Sequence, residues 1–420
     1  TFPARRNSET HQMHSPENAE QKTQDRTRRR SIAFLNWAHA LDHFVILIFP
    51  TVVIGLEAVY GRPYSELIAL GTASFVAFGV FSLPAGWLAD AWSRRSMMAA
   101  FFLGCGFSLL FAALAPNLTM LAIALFALGA FAAIYHPVGM PMLIEAAVVR
   151  GRTLAFNGVC GNLGAALAAG VTAVLASVFG WRGAFLLPAA VCLVTGLLYI
   201  MLVPDDRRRA RHRDPVPEAP LAPLLAAVMF GLFVIAALTG GLTFNILSVA
   251  LPKIVDERAG GAVPLIVVGG LSTALFLCGA IAQLAVGRLV ERIHPHVLFA
   301  AVVTLQFLSL LWAVFASGPA LLAALALGMA AIYGQTTLND MVIARYAADA
   351  WRGRVYAVRF FLTFVTSGAA VAGIALLHGR GGFDLVLSAV AITAAIMAVA
   401  VWGIALIVAS VERRRLHPAE

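Results

Sequence analysis

The sequence predicts an all-α membrane protein with twelve transmembrane helices in two pseudo-symmetric six-helix bundles. Three observations carry this. Charge is scarce: 12% Asp, Glu, Lys and Arg against 60% hydrophobic residues, where an ordinary globular chain is about a quarter charged. Apolar runs of roughly 20 residues, enough to cross ~30 Å of hydrocarbon as helices, follow one another between short polar turns. The second half also repeats landmarks of the first at a near-constant offset. Only helices or closed barrels satisfy their backbone in lipid, and runs this long and continuous are not barrel strands.

In order, residues 1–31 read as a cytoplasmic N-terminal tail. It is polar, with Arg5, Arg6 and the cluster Arg26, Arg28, Arg29 and Arg30, and no apolar core precedes a cleavage site. A first bundle, 32–203, holds spans over 33–57, 67–90, 96–115, 118–144, 153–179 and 183–203. The Pro- and Arg-rich stretch 204–222 reads as a solvated cytoplasmic linker. A second bundle, 223–411, holds spans over 224–251, 263–290, 296–316, 318–344, 354–377 and 383–411, and 412–420 forms a cytoplasmic C-terminal tail.

The repeat fixes the relation of the halves. Gly86, Leu88 and Asp90 fall on Gly287, Leu289 and Glu291 at a spacing of 201, and Arg292 follows in the second copy. Arg150-Gly151-Arg152 is matched by Arg352-Gly353-Arg354, and Pro50 by Pro252, at 202. Six helices in the same orientation in each half make a parallel repeat, an arrangement that binds substrate near the midplane and rocks about it. With both termini inside, 25 of the 30 Lys and Arg residues lie on the inner side, leaving Arg62, Arg182, Lys253, Arg258 and Arg380 outside. That is the positive-inside pattern of an inner-membrane protein.

Composition also excludes classes. The net charge of +9 is scattered among helix ends rather than gathered in a patch, so no nucleic-acid surface is predicted. Cys105, Cys160, Cys192 and Cys278 sit inside apolar runs at unrelated spacings and read as packing residues. No GxxxxGK[ST] motif occurs, so no nucleotide chemistry and no cofactor are expected.

Gly86-x-Leu88-Ala89-Asp90-x-x-Ser93-Arg94-Arg95 between spans 2 and 3, with its second-half echo and the paired Arg-Gly-Arg turns, resembles the major facilitator superfamily. His39-x-x-Asp42 in span 1, Tyr135-His136-Pro137 in span 4 and Gly161-Asn162-Leu163-Gly164 in span 5 are similar to the fosmidomycin-resistance-like bacterial exporters. The resemblance implies a monomeric, alternating-access transporter whose partners are a small-molecule substrate, protons and membrane lipid. It also implies that Gly158, Gly161 and Gly164 pack and seal rather than touch ligand.

Ionisable residues inside a span are costly and usually mark an ion or proton path. Asn36, His39, Asp42 and His43 fall on one stripe of span 1 at about 100° per residue. Asp42, His39, His43 and His136 are the proton-coupling candidates; headgroup anchoring is the alternative for Asn36 and His39, and packing for His136. Pro137 removes a helix hydrogen bond beside His136. The substrate-binding candidates are Asn36, Tyr135, Asn162, Asn245, Gln283, Tyr333, Gln335 and Asn339, with inter-helix hydrogen bonding as the other reading of the glutamines. Gating candidates are Asp90, Arg94, Arg95, Glu145, Glu291, Arg292 and Asp340. Asp90 is positioned to meet the N-terminus of span 11, and Arg94 to complete a charge cluster between the halves.

The leading expectation is a secondary active transporter that effluxes a small organic molecule in exchange for protons. No resident metal is expected, although His39, Asp42 and His43, with His136 and Met140 as further ligand candidates, form a passable transition-metal set, which keeps a metal-ion transporter open. A non-transporting receptor or membrane enzyme is the remote third class, for no nucleophile–base pair is evident.

Overall fold

The computed structural model describes residues 16–204, 223–260, 263–346 and 349–416; within these, the side chains of 16–20, 150–151, 223, 226, 340, 343–360, 364 and 412–416 lie outside the description. Span 1 is α1 (Pro16–Ile46) followed by α2 (Ile48–Tyr60), and span 2 is α3 (Tyr64–Ala69) with α4 (Thr72–Ala91). Span 3 is α5 (Arg94–Leu114). Span 4 is α6 (Leu118–Ala132), a π turn (Tyr135–Gly139) and α7 (Met140–Ala146). Next come α8 (Arg150–Leu202), α9 (Pro223–Arg258), α10 (Leu265–Leu289), α11 (Pro295–Phe315), α12 (Gly318–Tyr346) and α13 (Asp349–Leu416).

Ten helical stretches among the described residues are long and apolar enough to cross a membrane. Two of them, within α8 and α13, run 51 residues each, or roughly 76 Å at ~1.5 Å per residue. That is more than twice a ~30 Å hydrocarbon core. Each is broken inside by glycine: Gly180 has φ +72°, and Gly381 and Gly382 are non-helical, Gly382 with φ +61°. Positive φ is open to glycine without a Cβ penalty, so these positions turn the chain back into the membrane. α8 therefore supplies spans 5 and 6, α13 supplies spans 11 and 12, and the twelve predicted spans are recovered.

The N-terminal boundary differs from expectation. Residues 16–31, assigned to a tail, are helical and continuous with span 1, because α1 starts at Pro16. Pro suits the first turn of a helix, and nothing between it and Asn36 breaks the pattern. Residues 1–15, the linker stretch 205–222 and residues 417–420 lie outside the description.

Polar residues open several helices. Ser93 caps α5 by accepting from the N–H of Ser96 at 3.2 Å, and Asn117 caps α6 by accepting from Met120 at 2.9 Å. Apolar side chains gain little from meeting each other in place of lipid, so close backbone approach at small residues drives helix association. A Cβ on Gly129 would lie 1.9 Å from the Ser74 carbonyl oxygen, which presses span 4 onto span 2. One on Gly164 would lie 2.0 Å from the Ala40 oxygen, pressing span 5 onto span 1. Between the halves, span 2 packs on span 11 and span 5 on span 8. These pairings interchange when the halves are swapped, the signature of a parallel repeat about a pseudo-two-fold axis.

Candidate functional site

The titratable stripe of span 1 meets span 4 where both helices depart from ideal geometry. α1 ends at Ile46, and Leu47 (φ −98°, ψ 5°) leaves the α region just past His43. Opposite it, Pro137 has no N–H to donate, and the chain takes up the irregularity as the π turn Tyr135–Gly139. His136 Nε2 then lies 3.4 Å from Asp42 Oδ2, while Tyr135 turns into the core. Asp42 is 1% exposed, and its Oδ1 has no hydrogen-bond partner among the described residues. A buried, half-satisfied carboxylate carries a large desolvation cost that only pairing or protonation offsets.

The imidazoles interlock. His39 Nδ1 lies 2.8 Å from the Asn157 carbonyl oxygen, which can only accept, so the ring donates there. In the neutral ring that leaves a lone pair on Nε2, and His43 Nε2 at 3.2 Å is the donor to it. His39 stacks on Tyr135 with ring centroids 4.8 Å apart, and stands edge-on to His136 at 5.4 Å. One ring nitrogen from each of His39, His43 and His136 lies within 4.8 Å of the others, a set able to hold a transition metal. His136, a further ligand candidate in the sequence, completes the set with His39 and His43, and Asp42 adjoins it through His136.

Asn157 organises this cluster, and the sequence reading gave it no role. Its Nδ2 donates to Asn36 Oδ1 at 3.0 Å, and the Tyr135 hydroxyl lies 3.2 Å from its Oδ1. Of the substrate candidates, Asn36 and Tyr135 are thereby engaged in joining spans 1, 4 and 5. Asn162 bonds Gln283, a polar contact across the halves. Asn245 donates to Gly241 O at 2.9 Å and to Thr363 O at 3.4 Å, tying span 7 to span 11. Tyr333 is buried between Phe244 and Phe276. Gln335 and Asn339 lie one turn apart on span 10, both buried, with Oε1 and Oδ1 unpaired among the described residues. Gln306 on span 9 adds a third buried unpaired amide oxygen.

The gating candidates separate by role. Arg94 holds Glu145 at 2.5 Å and Asp90 at 3.1 Å, both in its own half. Arg95 donates to the carbonyls of Val203 at 2.9 Å and Ile200 at 2.5 Å, capping the C-terminal end of α8. Glu291 and Arg292 are exposed in the turn after α10. Asp340, and the N-terminal side chains of span 11 expected opposite Asp90, lie outside the description. Of the packing glycines, Gly161 and Gly164 leave no room for a Cβ, but Gly158 has nothing within 4 Å. Two further features are not marked in the sequence: the role of Asn157 and a charged knot around Lys253 at the Tyr64 end of the bundle.

Comparison with known proteins agrees with this architecture. Residues 32–373 match the family model of the Major Facilitator Superfamily. A lincomycin resistance protein of Streptomyces lincolnensis is 30% identical over 227 residues, 51% of this chain and 45% of the relative. A puromycin resistance protein of Streptomyces alboniger is 33% identical over 143 residues, 33% of this chain and 28% of the relative. The matched stretches thus span less than half of either relative. Among solved structures, an inward-facing, unoccupied bacterial homolog of the human lysosomal transporter Spinster superposes with TM-score 0.71 at 13% identity, covering 91% of this chain and 96% of that one. A D-xylose–proton symporter gives TM-score 0.69 at 14% identity, covering 88% and 96%. With twelve spans, this pairing of halves and a family match over most of its length, the chain belongs to the Major Facilitator Superfamily of membrane transporters.

Proposed function

We propose that the protein is a proton-coupled secondary transporter that exports a small, drug-like organic molecule by alternating access. The observation that carries the coupling is the buried Asp42–His136 pair, 3.4 Å apart, set among His39 and His43. Charge on a carboxylate 1% exposed is tolerable only beside a cationic partner, so gain or loss of a proton at this pair must alter how span 1 sits on span 4. The cargo class rests on the two resistance proteins, whose names concern lincomycin and puromycin. In this reading, bundles 32–203 and 223–411 rock about a midplane site marked by Asn162, Gln283, Gln335 and Asn339. The 204–222 linker and both termini face the cytoplasm of a bacterial inner membrane, and the working unit is a monomer.

The test is uptake into proteoliposomes under an imposed pH gradient, with lincomycin and puromycin as first probes and D-xylose as a sugar control. Asp42→Asn is expected to lose gradient-driven accumulation and to retain substrate exchange at zero gradient. Full gradient-driven accumulation by Asp42→Asn would remove the assignment.

One observation favours a second reading: the three imidazole nitrogens within 4.8 Å of one another suit a divalent transition metal as cargo. The same vesicles loaded with a Zn²⁺-sensitive dye separate the two. Saturable metal flux that His43→Ala abolishes supports the metal; drug flux without metal flux supports the organic cargo.

A further inference from the structure

At the Tyr64 end of the bundle, opposite the Arg94 triad, Lys253 is almost wholly buried, its side chain 7% exposed. A buried ammonium is costly without partners, and this one has three carboxylates. Across the boundary between the halves it bonds Glu57, at the end of span 1. On its own helix it reaches Asp256 at 2.9 Å and Glu257 at 3.5 Å. Glu57 in turn accepts from the backbone N–H of Tyr64 at 3.2 Å, within its own half. Glu257 is held by His378 Nε2 at 3.2 Å, and the Lys253 ammonium stands 5.5 Å from the centre of the Tyr64 ring.

Three further contacts between the halves lie on the same side of the midplane, while Asn162–Gln283 lies nearer the Arg94 end. Ser367 Oγ donates to Phe75 O at 3.1 Å, Gly170 N–H donates to Thr273 Oγ1 at 3.0 Å, and a Cβ on Gly379 would lie 3.3 Å from the Ser65 side chain. The structure is closed here, and Glu57–Lys253 is the ion pair that crosses the seam in this knot.

We propose that Glu57–Lys253 is a counter-ion exchange latch, and that Lys253 sets which end of the transporter is open. The proposal rests on the alternating-access reading above and adds the residues that gate this end. When the halves part, Lys253 surrenders Glu57 but keeps Asp256 and Glu257, which travel on the same helix. Glu57 keeps the Tyr64 N–H, which travels with span 1. Neither charge is stranded in either state, so the element is bistable and its two arrangements differ little in energy. A buried pair without spare partners would lock the end shut, since breaking it would leave an uncompensated charge.

The experiment measures distances between spin labels on the full-length protein in lipid nanodiscs without substrate. Labels are attached at Arg62→Cys and Arg380→Cys, both exposed and on opposite halves, with Cys160 and Cys278 replaced by Ser. The parent is expected to give one short distance. Glu57→Gln and Lys253→Met should each make a longer distance dominant, the two together should go no further than either alone, and Lys253→Arg should keep the short one. Removing the exchange partners with Asp256→Asn/Glu257→Gln should leave the short distance and slow transport several-fold. A Glu57→Gln distribution identical to the parent's overturns the latch, and parent-rate transport by the Asp256/Glu257 double variant overturns the exchange. Failure of the proton-coupling reading shows instead in Asp42→Asn flux, with these distances unchanged.

Discussion

Alanine at Gly164 puts the packing of spans 1 and 5 to a quantitative test. The new Cβ would lie 2.0 Å from the Ala40 carbonyl oxygen and 2.7 Å from its carbon, both backbone atoms that no rotamer change can move aside. Relief to an ordinary contact of roughly 3.4 Å requires the helices to part locally by roughly 1.4 Å. Seven residues back along the same face, the Asn157 carbonyl accepts from His39 at 2.8 Å. A separation of that size carries the bond past the ~3.5 Å at which it ceases to be one. Overpacking costs about 1–3 kcal/mol, and a buried imidazole N–H left unpaired a further ~1–3 kcal/mol. Gly164→Ala is therefore expected to unfold earlier by an amount equivalent to about 2–6 kcal/mol, and to lose gradient-driven transport because His39 is released. Gly158→Ala is the matched control: with nothing within 4 Å of its Cβ, it should be neutral or gain up to ~1 kcal/mol of helix propensity. Thermal unfolding in detergent can be followed by a thiol-reactive dye once Cys160 and Cys278 are replaced by Ser, because Cys105 and Cys192 are buried until the bundle opens. Equal unfolding of Gly164→Ala and the parent, or an equal loss in Gly158→Ala, would refute the close-approach argument.

Two other substitutions separate roles that the sequence leaves merged. Asn157→Ala strands the Tyr135 hydroxyl and Asn36 Oδ1, at about 1–3 kcal/mol for each group left unpaired. Because His39 bonds the backbone and not the side chain of residue 157, proton-gradient dependence should persist in the folded fraction; its loss at unchanged stability would contradict the assignment. Arg95→Ala removes the cap on the Val203 and Ile200 carbonyls and should cost about 1 kcal/mol in the dye assay with little change in transport per folded molecule. Lost transport at full stability would return Arg95 to the gate.

The spans were legible because lipid imposes one rule on all of them, and the glycines at 180, 381 and 382 mark turns that apolar runs alone leave merged. Asp42 and His136 were legible singly, since each is an ionisable residue in an apolar helix; their pairing depends on the π turn that Pro137 induces. Asn157 was not, because nothing local tells an amide that joins Asn36 to Tyr135 from one that faces lipid or a pocket. Lys253 was counted among outer-loop charges, which follows from its place at the end of span 7. Nothing local says that it turns inward, for its cross-half partner Glu57 is 196 positions away.

Gly161 and His39 constrain one another's substitution through their contact. A Cβ at 161 would fall 2.6 Å from the His39 ring, so the imidazole occupies the space in which any other side chain would begin. The order of substitutions is therefore constrained. A lineage can replace Gly161 after position 39 has shrunk, whereas the reverse order passes through a clashing intermediate. Recovering a histidine at 39 likewise requires glycine at 161 first. Among descendants of this chain, a residue larger than glycine at 161 would report that the imidazole at 39, and the chemistry that depends on it, had already been given up.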